Sequence, residues 1–349
     1  MAILVTGGTG FIGSNYIHQW FQQTDELLIN IDKLTYAANL RNLEKFTKNE
    51  HYLFIKDDIN NFEKILSILK QYQIRAIVHF AAESHVDRSI QSPNIFINTN
   101  VLGTFSLLEA ARCYWSSLSI NEKQLFRFIH VSTDEVYGSL EPFEASFTEQ
   151  SQYKPNSPYS ASKASSDHLV RSYFHTYGLP VCTTNCSNNY GPFQFPEKLI
   201  PLCIKNCISR LDLPIYGDGK QIRDWLFVED HCSAINAVLS HGTLGEVYNI
   251  GANNEKTNLE LVEAICQVFE DRNQDKISGS YLDLIKYVQD RPGHDRRYAI
   301  NAEKIRKELG WSPKVSFEEG IKITVNWYLQ NQSWFRAIIE NVNIYQEFV

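Results

Sequence analysis

Ile3-Leu4-Val5-Thr6-Gly7-Gly8-Thr9-Gly10-Phe11-Ile12-Gly13 decides how this chain folds. An apolar run feeds straight into a turn with glycine at positions 7, 10 and 13, and a helical pattern follows. Missing side chains let the backbone approach a pyrophosphate, and the helix opening there offers unpaired N–H groups and a favourable dipole to an anion. Asp32 ends the next apolar run, about 20 residues past the last glycine, as in a dinucleotide-binding unit. Its carboxylate can accept both hydroxyls of an adenosine ribose and repels a 2′-phosphate. NAD is therefore expected over NADP, with the neighbouring cation Lys33 weakening the preference.

Outward from this unit the alternation continues. Residues 27–31, 52–55, 76–80, 128–132 and 181–185 read as strands, with helical patterns between them. Strand and helix in alternation predict an α/β fold of the Rossmann type: a doubly wound parallel sheet, with ligands collecting at the carboxyl ends of its strands. Past Asn185 the pattern becomes turn-rich, which predicts a smaller C-terminal substrate-binding lobe. The expected division is 1–186 for the NAD-binding domain and 187–349 mainly for the lobe. Strand-like runs at 225–228 and 247–250 are expected to rejoin the first domain.

With 349 residues, 43% of them hydrophobic, the chain can bury a substantial core. A net charge of −7 with both signs interspersed argues against a nucleic-acid-binding face. The amino terminus lacks a positive segment before its short apolar run, and no apolar stretch has the length of a membrane span, so neither a secretory leader nor membrane attachment is expected. Seven cysteines without a CxxC predict buried thiols in a reducing cytoplasm. Cys182, Cys186, Cys203 and Cys207 lack histidines at matching spacing, so no metal is expected.

Two proton-transfer devices stand close together. Tyr159 and Lys163 in Tyr-Ser-Ala-Ser-Lys share a helix face, where an ammonium is expected to lower the phenol's pKa and make Tyr159 a base for a hydroxyl being oxidised. Upstream, Ser-Thr-Asp-Glu-Val-Tyr-Gly sets Asp134 beside Glu135. If their environments push the two pKa values apart, one donates a proton while the other accepts one. A solvated loop pair is the plainer reading of these carboxylates, and a turn-capping threonine that of Thr133.

The strings GGTGFIGSN, DKLTYAANL, HFAAESHVDRSI, HVSTDEVYG, SPYSASKASSD, TNCSNNYGPFQFPEKLIP, RDWLFVEDH and DRPGHDRRYAI, in this order, resemble the signature strings of the nucleotide-sugar 4,6-dehydratases, a branch of the extended short-chain dehydrogenase/reductases. Ala38 stands where that family often has glycine, and Asn301 where aspartate is usual. The resemblance implies C4 oxidation of a nucleoside-diphosphate glucose, elimination of water across C5–C6 and return of hydride to C6. A dTDP sugar is expected, although thymine, uracil and cytosine stay open as the base. It implies Tyr159 as the C4 base, Lys163 as its support, Glu135 as the C5 base, Asp134 as the acid at C6 and Thr133 on the C4 oxygen. NAD would stay bound and be regenerated each cycle.

The resemblance further assigns the cofactor to Gly7, Gly10, Phe11, Ile12, Gly13, Asp32, Lys33, Leu34, Thr35, Asp58, Ile59, Phe80, Ala81, Ala82, Ser84, Thr99, Tyr159, Lys163 and Asn189. The substrate falls to Ser84, Thr133, Asn188, Lys198, Leu199, Pro214, Ile215, Tyr216, Arg223, Asn254, Asp290, Arg291 and His294. Some positions keep a second reading: Asp58 and Ile59 as helix cap and core residue, Arg223 as an ion pair with Asp224, and His294 as a turn histidine. Glu83 follows the fourth strand beside Ser84, while His79 and His130 read as core histidines. A homodimer through the helices at 94–115 and 162–177 is implied. A nucleotide-sugar 4-epimerase shares the Tyr/Lys pair but needs no acid/base couple for elimination, and a non-catalytic NAD-binding regulator would be expected to lack Tyr159 or Lys163.

Overall fold

The computed structural model of the chain describes residues 1–272, 279–290 and 295–346. In chain order its strands are β1 (Ala2–Thr6), β2 (Leu27–Asp32), β3 (Tyr52–Lys56), β4 (Ile74–His79), β5 (Arg127–Thr133), β6 (Val181–Cys186), β7 (Asn188–Tyr190), β8 (Leu213–Tyr216), β9 (Ile222–Phe227), β10 (Val247–Ile250), β11 (Glu255–Thr257), β12 (Ile285–Val288) and β13 (Arg297–Tyr298). Seven of them form one parallel sheet in the order β10-β6-β5-β4-β1-β2-β3. Its strands read as near-continuous apolar runs because helices cover both faces. All five residues of β1 are buried.

One face of the sheet packs against helices Phe11–Gln23 and Val228–His241 through Tyr16, Ile17, Ile235 and Val238. The other packs against helices Phe62–Gln71, Thr104–Ser116 and Pro158–Tyr177 through Ile65, Leu69, Leu107, Leu108 and Val170. A third core, around Ile204, Trp225, Ile265, Ile321 and Tyr328, belongs to the C-terminal half. No helix among the described residues is long and apolar enough to cross a membrane.

The two later strand expectations part company. Residues 247–250 do rejoin the main sheet, with Val247 opposite Thr183. Residues 225–227 lie in β9, which pairs with β7, β11 and β13 in a separate four-stranded sheet, while Leu226 and Val228 pack in the core of the main sheet. The reason is the period of 2 along a strand. Leu226 faces the core of the main sheet, whereas Trp225 and Phe227 face the third core, so β9 serves as a wall between the two.

Candidate active site

A cleft of about 310 Å³ opens at the carboxyl ends of β1, β2, β4, β5 and β6. The glycine turn forms its floor. Gly7 has φ of +71°, and a Cβ there would lie 2.7 Å from the Ala81 backbone. A Cβ on Gly13 would lie 2.4 Å from the Gly7 carbonyl oxygen. Gly10 caps the following helix without a side chain, and its first turn has no acidic residue, so its N–H groups are available to an anion.

Every residue assigned to the cofactor lines this cleft except Leu34, which takes a left-handed φ of +60° and donates its N–H to Asp32 at 2.8 Å. Asp32 also accepts from the N–H (3.0 Å) and hydroxyl of Thr9, so the glycine turn itself holds its carboxylate in place. Lys33 is drawn into an ion pair with Asp58 at 2.8 Å. Burial pushes Asp58 up, but hydrogen bonds from Asn60 and Lys33 outweigh it and keep the carboxyl below its usual range. Buried side-chain oxygens without a partner, Asn188 Oδ1 and Gln194 Oε1, line the same cleft. Such atoms suit a ligand rich in amide and hydroxyl donors, so the residues present fit a dinucleotide.

The chemistry side is built where β5 ends. Thr133 caps the single helical turn Asp134–Tyr137 by accepting from the Glu135 N–H at 3.3 Å. Asp134 is 2% exposed, and its Oδ2 has no partner. Burial, then the charges of Glu135 and Asp224, push its carboxyl well above the usual range against the opposing pull of Arg223. A carboxyl held above its usual range is suited to donating a proton.

Opposite stands the helix Pro158–Tyr177, which begins cleanly because Ser157 and Ser160 make a reciprocal cap and Pro158 occupies its first position. Both Tyr159 and Lys163 line the cleft. The expected lowering of the Tyr159 pKa does not occur in the protein alone. Burial, then the negative charge of Glu135, raise it well above 10, and hydrogen bonding with Thr133 only partly opposes them. Lys163 hydrogen-bonds the Val131 carbonyl oxygen at 2.9 Å, and burial lowers its own pKa. Desolvation of the phenolate thus outweighs the ammonium one turn away.

Of the substrate set, Ser84, Thr133, Asn188 and Lys198 line the cleft, with Lys198 Nζ 3.3 Å from the Ser84 carbonyl oxygen. Leu199 opens the next helix and packs on the third core. Pro214, Ile215 and Tyr216 stand on β8, away from the cleft; Ile215 is turned into the third core, while Tyr216 is exposed. Arg223 is buried, donates to the carbonyls of Ile222 (2.7 Å) and Asp295 (2.9 Å), and lies over the Tyr298 ring. Asp224 accepts from the N–H groups of Ala252 and Asn254. Asp290 accepts from Gln221 at 2.9 Å, whereas Arg291 and His294 fall outside the described residues. His79 and His130 are buried, and burial lowers the pKa of each.

Several cleft residues escaped the reading of the sequence: Gln194, Phe195 and Glu197 on the far wall, Ser132 and Cys186 at the strand ends. Glu197 accepts from the Tyr36 hydroxyl at 2.8 Å, and Arg88 lies 3.6 Å over the Tyr36 ring, joining three segments that are distant in sequence. The string FQFPEK held the only signal, which is three polar residues spaced among aromatics and proline.

Comparison with known proteins agrees with this geometry. Residues 4–324 match the GDP-mannose 4,6 dehydratase family. A dTDP-glucose 4,6-dehydratase of Xanthomonas campestris pv. campestris is 54% identical over 337 residues, 97% of this chain and 95% of that one. The crystal structure of dTDP-glucose 4,6-dehydratase from Bacillus anthracis in complex with NAD superposes with a TM-score of 0.86 at 47% identity, covering 97% and 99% of the two chains. A UDP-glucose 4-epimerase of Thermotoga maritima has nearly the same fold (TM-score 0.83, 95% and 100% covered) but only 28% identity. The fold is common to dehydratases and epimerases, and the sequence sides with the former: the chain belongs to the GDP-mannose 4,6 dehydratase family of the extended short-chain dehydrogenase/reductases, beside the dTDP-glucose 4,6-dehydratases.

Proposed function

We propose that this chain is an NAD-dependent hydro-lyase that converts dTDP-glucose to its 4-keto-6-deoxy derivative. One observation carries the reading: a buried Asp134, its carboxyl held above the usual range, adjoins Glu135 in the cleft that also holds Tyr159 and the glycine cradle. Epimerisation needs no such acid, and the curated relatives at over half identity are dehydratases. A regulator has no need of Tyr159 and Lys163 in the cleft.

NAD, when bound, accepts hydride from C4, later returns it to C6, and brings a cationic ring that favours the Tyr159 phenolate. Gly7, Gly10 and Gly13 receive its pyrophosphate and Asp32 its adenosine ribose. Tyr159 takes the proton of the C4 hydroxyl while Thr133 hydrogen-bonds the C4 oxygen. The resulting ketone makes the C5 proton acidic. Glu135 removes that proton, Asp134 protonates the departing C6 hydroxyl, and water leaves. Lys198 and Asn188 face the diphosphate side of the cleft.

Residues 1–186, with β10, bind the cofactor in this reading, and 187–349 mainly bind the sugar nucleotide. A cytoplasmic location suits the seven cysteines, all of them free thiols. A homodimer suits the exposed Ile95, Ile97, Leu102, Phe105 and Tyr177 on the helices expected at its interface. The decisive experiment is mass spectrometry after mixing the protein with dTDP-, UDP- and CDP-glucose without added reductant. A dTDP sugar lighter by one water supports the reading, and an isomer of unchanged mass overturns it.

A further inference from the structure

The helix Pro158–Tyr177 sets Tyr159, Lys163 and Asp167 at intervals of four residues, along one face. Asp167 does not line the cleft, yet it is 5% exposed and takes three hydrogen bonds from elsewhere in the chain. The donors are His130 Nε2 at 3.0 Å, Ser132 Oγ at 2.9 Å and the Tyr153 hydroxyl at 2.9 Å. His130 and Ser132 lie two apart on β5, hence on one face of it, and Ser132 directly precedes Thr133 and Asp134. A single carboxylate therefore ties the helix bearing Tyr159 and Lys163 to the strand end bearing the elimination pair.

It also answers a charge problem. Lys163 is buried, and the hydrogen bond of its ammonium goes to a neutral carbonyl, which leaves a cation in a low-dielectric site needing an anion. The ionisable groups around the pair are His79 on β4, His130 on β5, Cys186 on β6, Tyr137, Tyr153 and His168, with Asp134 and Glu135 facing Tyr159. Burial keeps His79 and His130 uncharged and pushes the Cys186 thiol and both tyrosines up. Burial raises Asp167 only to about 6, because Lys163, Ser132 and Tyr153 favour its charged form. Above that pH Asp167 is the anion beside Lys163.

We propose that Asp167 is a positioning residue for the oxidation step, the buried counter-charge that keeps the Lys163 ammonium protonated and locks the catalytic helix to the end of β5. This rests on the dehydratase reading above. Without the carboxylate, Lys163 loses its proton at lower pH and no longer favours the Tyr159 phenolate.

Asp167→Asn keeps the side chain's shape, and the Ser132 and Tyr153 hydroxyls can exchange donor for acceptor roles to suit it. The measurement is single-turnover reduction of bound NAD by the sugar nucleotide, followed at 340 nm across pH. The alkaline limb is expected to move down by at least one pH unit. Relative to its neutral-pH rate, the variant is then about tenfold slower than wild type on that limb, and Asp167→Glu restores it. A rate scaled equally at every pH overturns the proposal.

Melting temperatures of Asp167→Asn, Lys163→Met and the double variant give a test that does not depend on turnover. Removing both charges costs less than stranding one, so the double variant is expected to melt above either single. A double variant no more stable than the weaker single overturns the pairing. Failure of the wild type to reduce NAD counts against the dehydratase reading alone, since the melting comparison stands without it.

Discussion

The two walls of the cleft differ in how their functional groups are held. On the sheet side, Asp32, Thr133, Asp134 and Lys163 leave strand ends or a capped helix, are nearly buried, and are fixed by neighbours close in space. Across the cleft, Asn188 opens β7, and Glu197 and Lys198, both partly exposed, stand in the segment before the helix Leu199–Ser209. Burial shifts proton affinities, whereas partial exposure leaves charges ready for a diphosphate. In the proposed mechanism the wall assigned to proton transfer is thus the drier one, and the wall assigned to the substrate diphosphate is the wetter one.

Substitutions can break or sharpen this contrast. The largest effect is expected for Glu135→Gln: release of the dehydrated sugar should fall about 10³-fold, while reduction of bound NAD at 340 nm continues. Full turnover by that variant would remove Glu135 from the elimination. Asp134→Asn should slow water loss about 10²-fold. The wild-type rate of that step, measured against pH, should stay up while Asp134 is protonated and fall as pH rises through its raised pKa; the Asn variant should lack that fall.

Gly13→Ala meets backbone rather than a flexible side chain. It should cut the cofactor carried through purification about tenfold, the equivalent of about 1.4 kcal/mol, as read by absorbance of the protein-free extract. On the opposite wall, Lys198→Met should raise KM for the sugar nucleotide about tenfold with kcat nearly unchanged, the mark of uniform binding. Tyr216→Ala, on an exposed position, should change KM by less than about threefold. A large loss of kcat in Lys198→Met would erase the distinction between the walls.

What could be read in advance follows the same divide. Gly7, Gly13 and Asp32 were legible because a tight turn, a close backbone approach and a ribose-binding carboxylate each demand a residue type at a fixed distance along the chain. The strands at 3–6, 27–31, 52–55, 128–132 and 181–185 were legible because helices cover both faces of the sheet, so each is a short run rich in β-branched and apolar residues between helical patterns. Residues 225–228 look the same in one dimension, yet their strand divides its side chains between two cores and joins another sheet. Arg223, assigned to the diphosphate by resemblance, is buried and lies over the Tyr298 ring, a burial that no spacing in the sequence announces.

The sequence by itself determined the fold class, since that rests on alternation and spacing within single segments; the cofactor cradle was proposed from the spacing of its glycines, and the acid, the bases and the lysine were proposed from the resemblance to the 4,6-dehydratases. Only the tertiary structure decided that the Asp134 carboxyl is held above its usual range, that Tyr159 starts with a raised rather than lowered pKa, and that Asp167 stands behind Lys163. Proton affinity depends on desolvation and on charges brought together from distant segments, and neither quantity exists until the chain has folded around them.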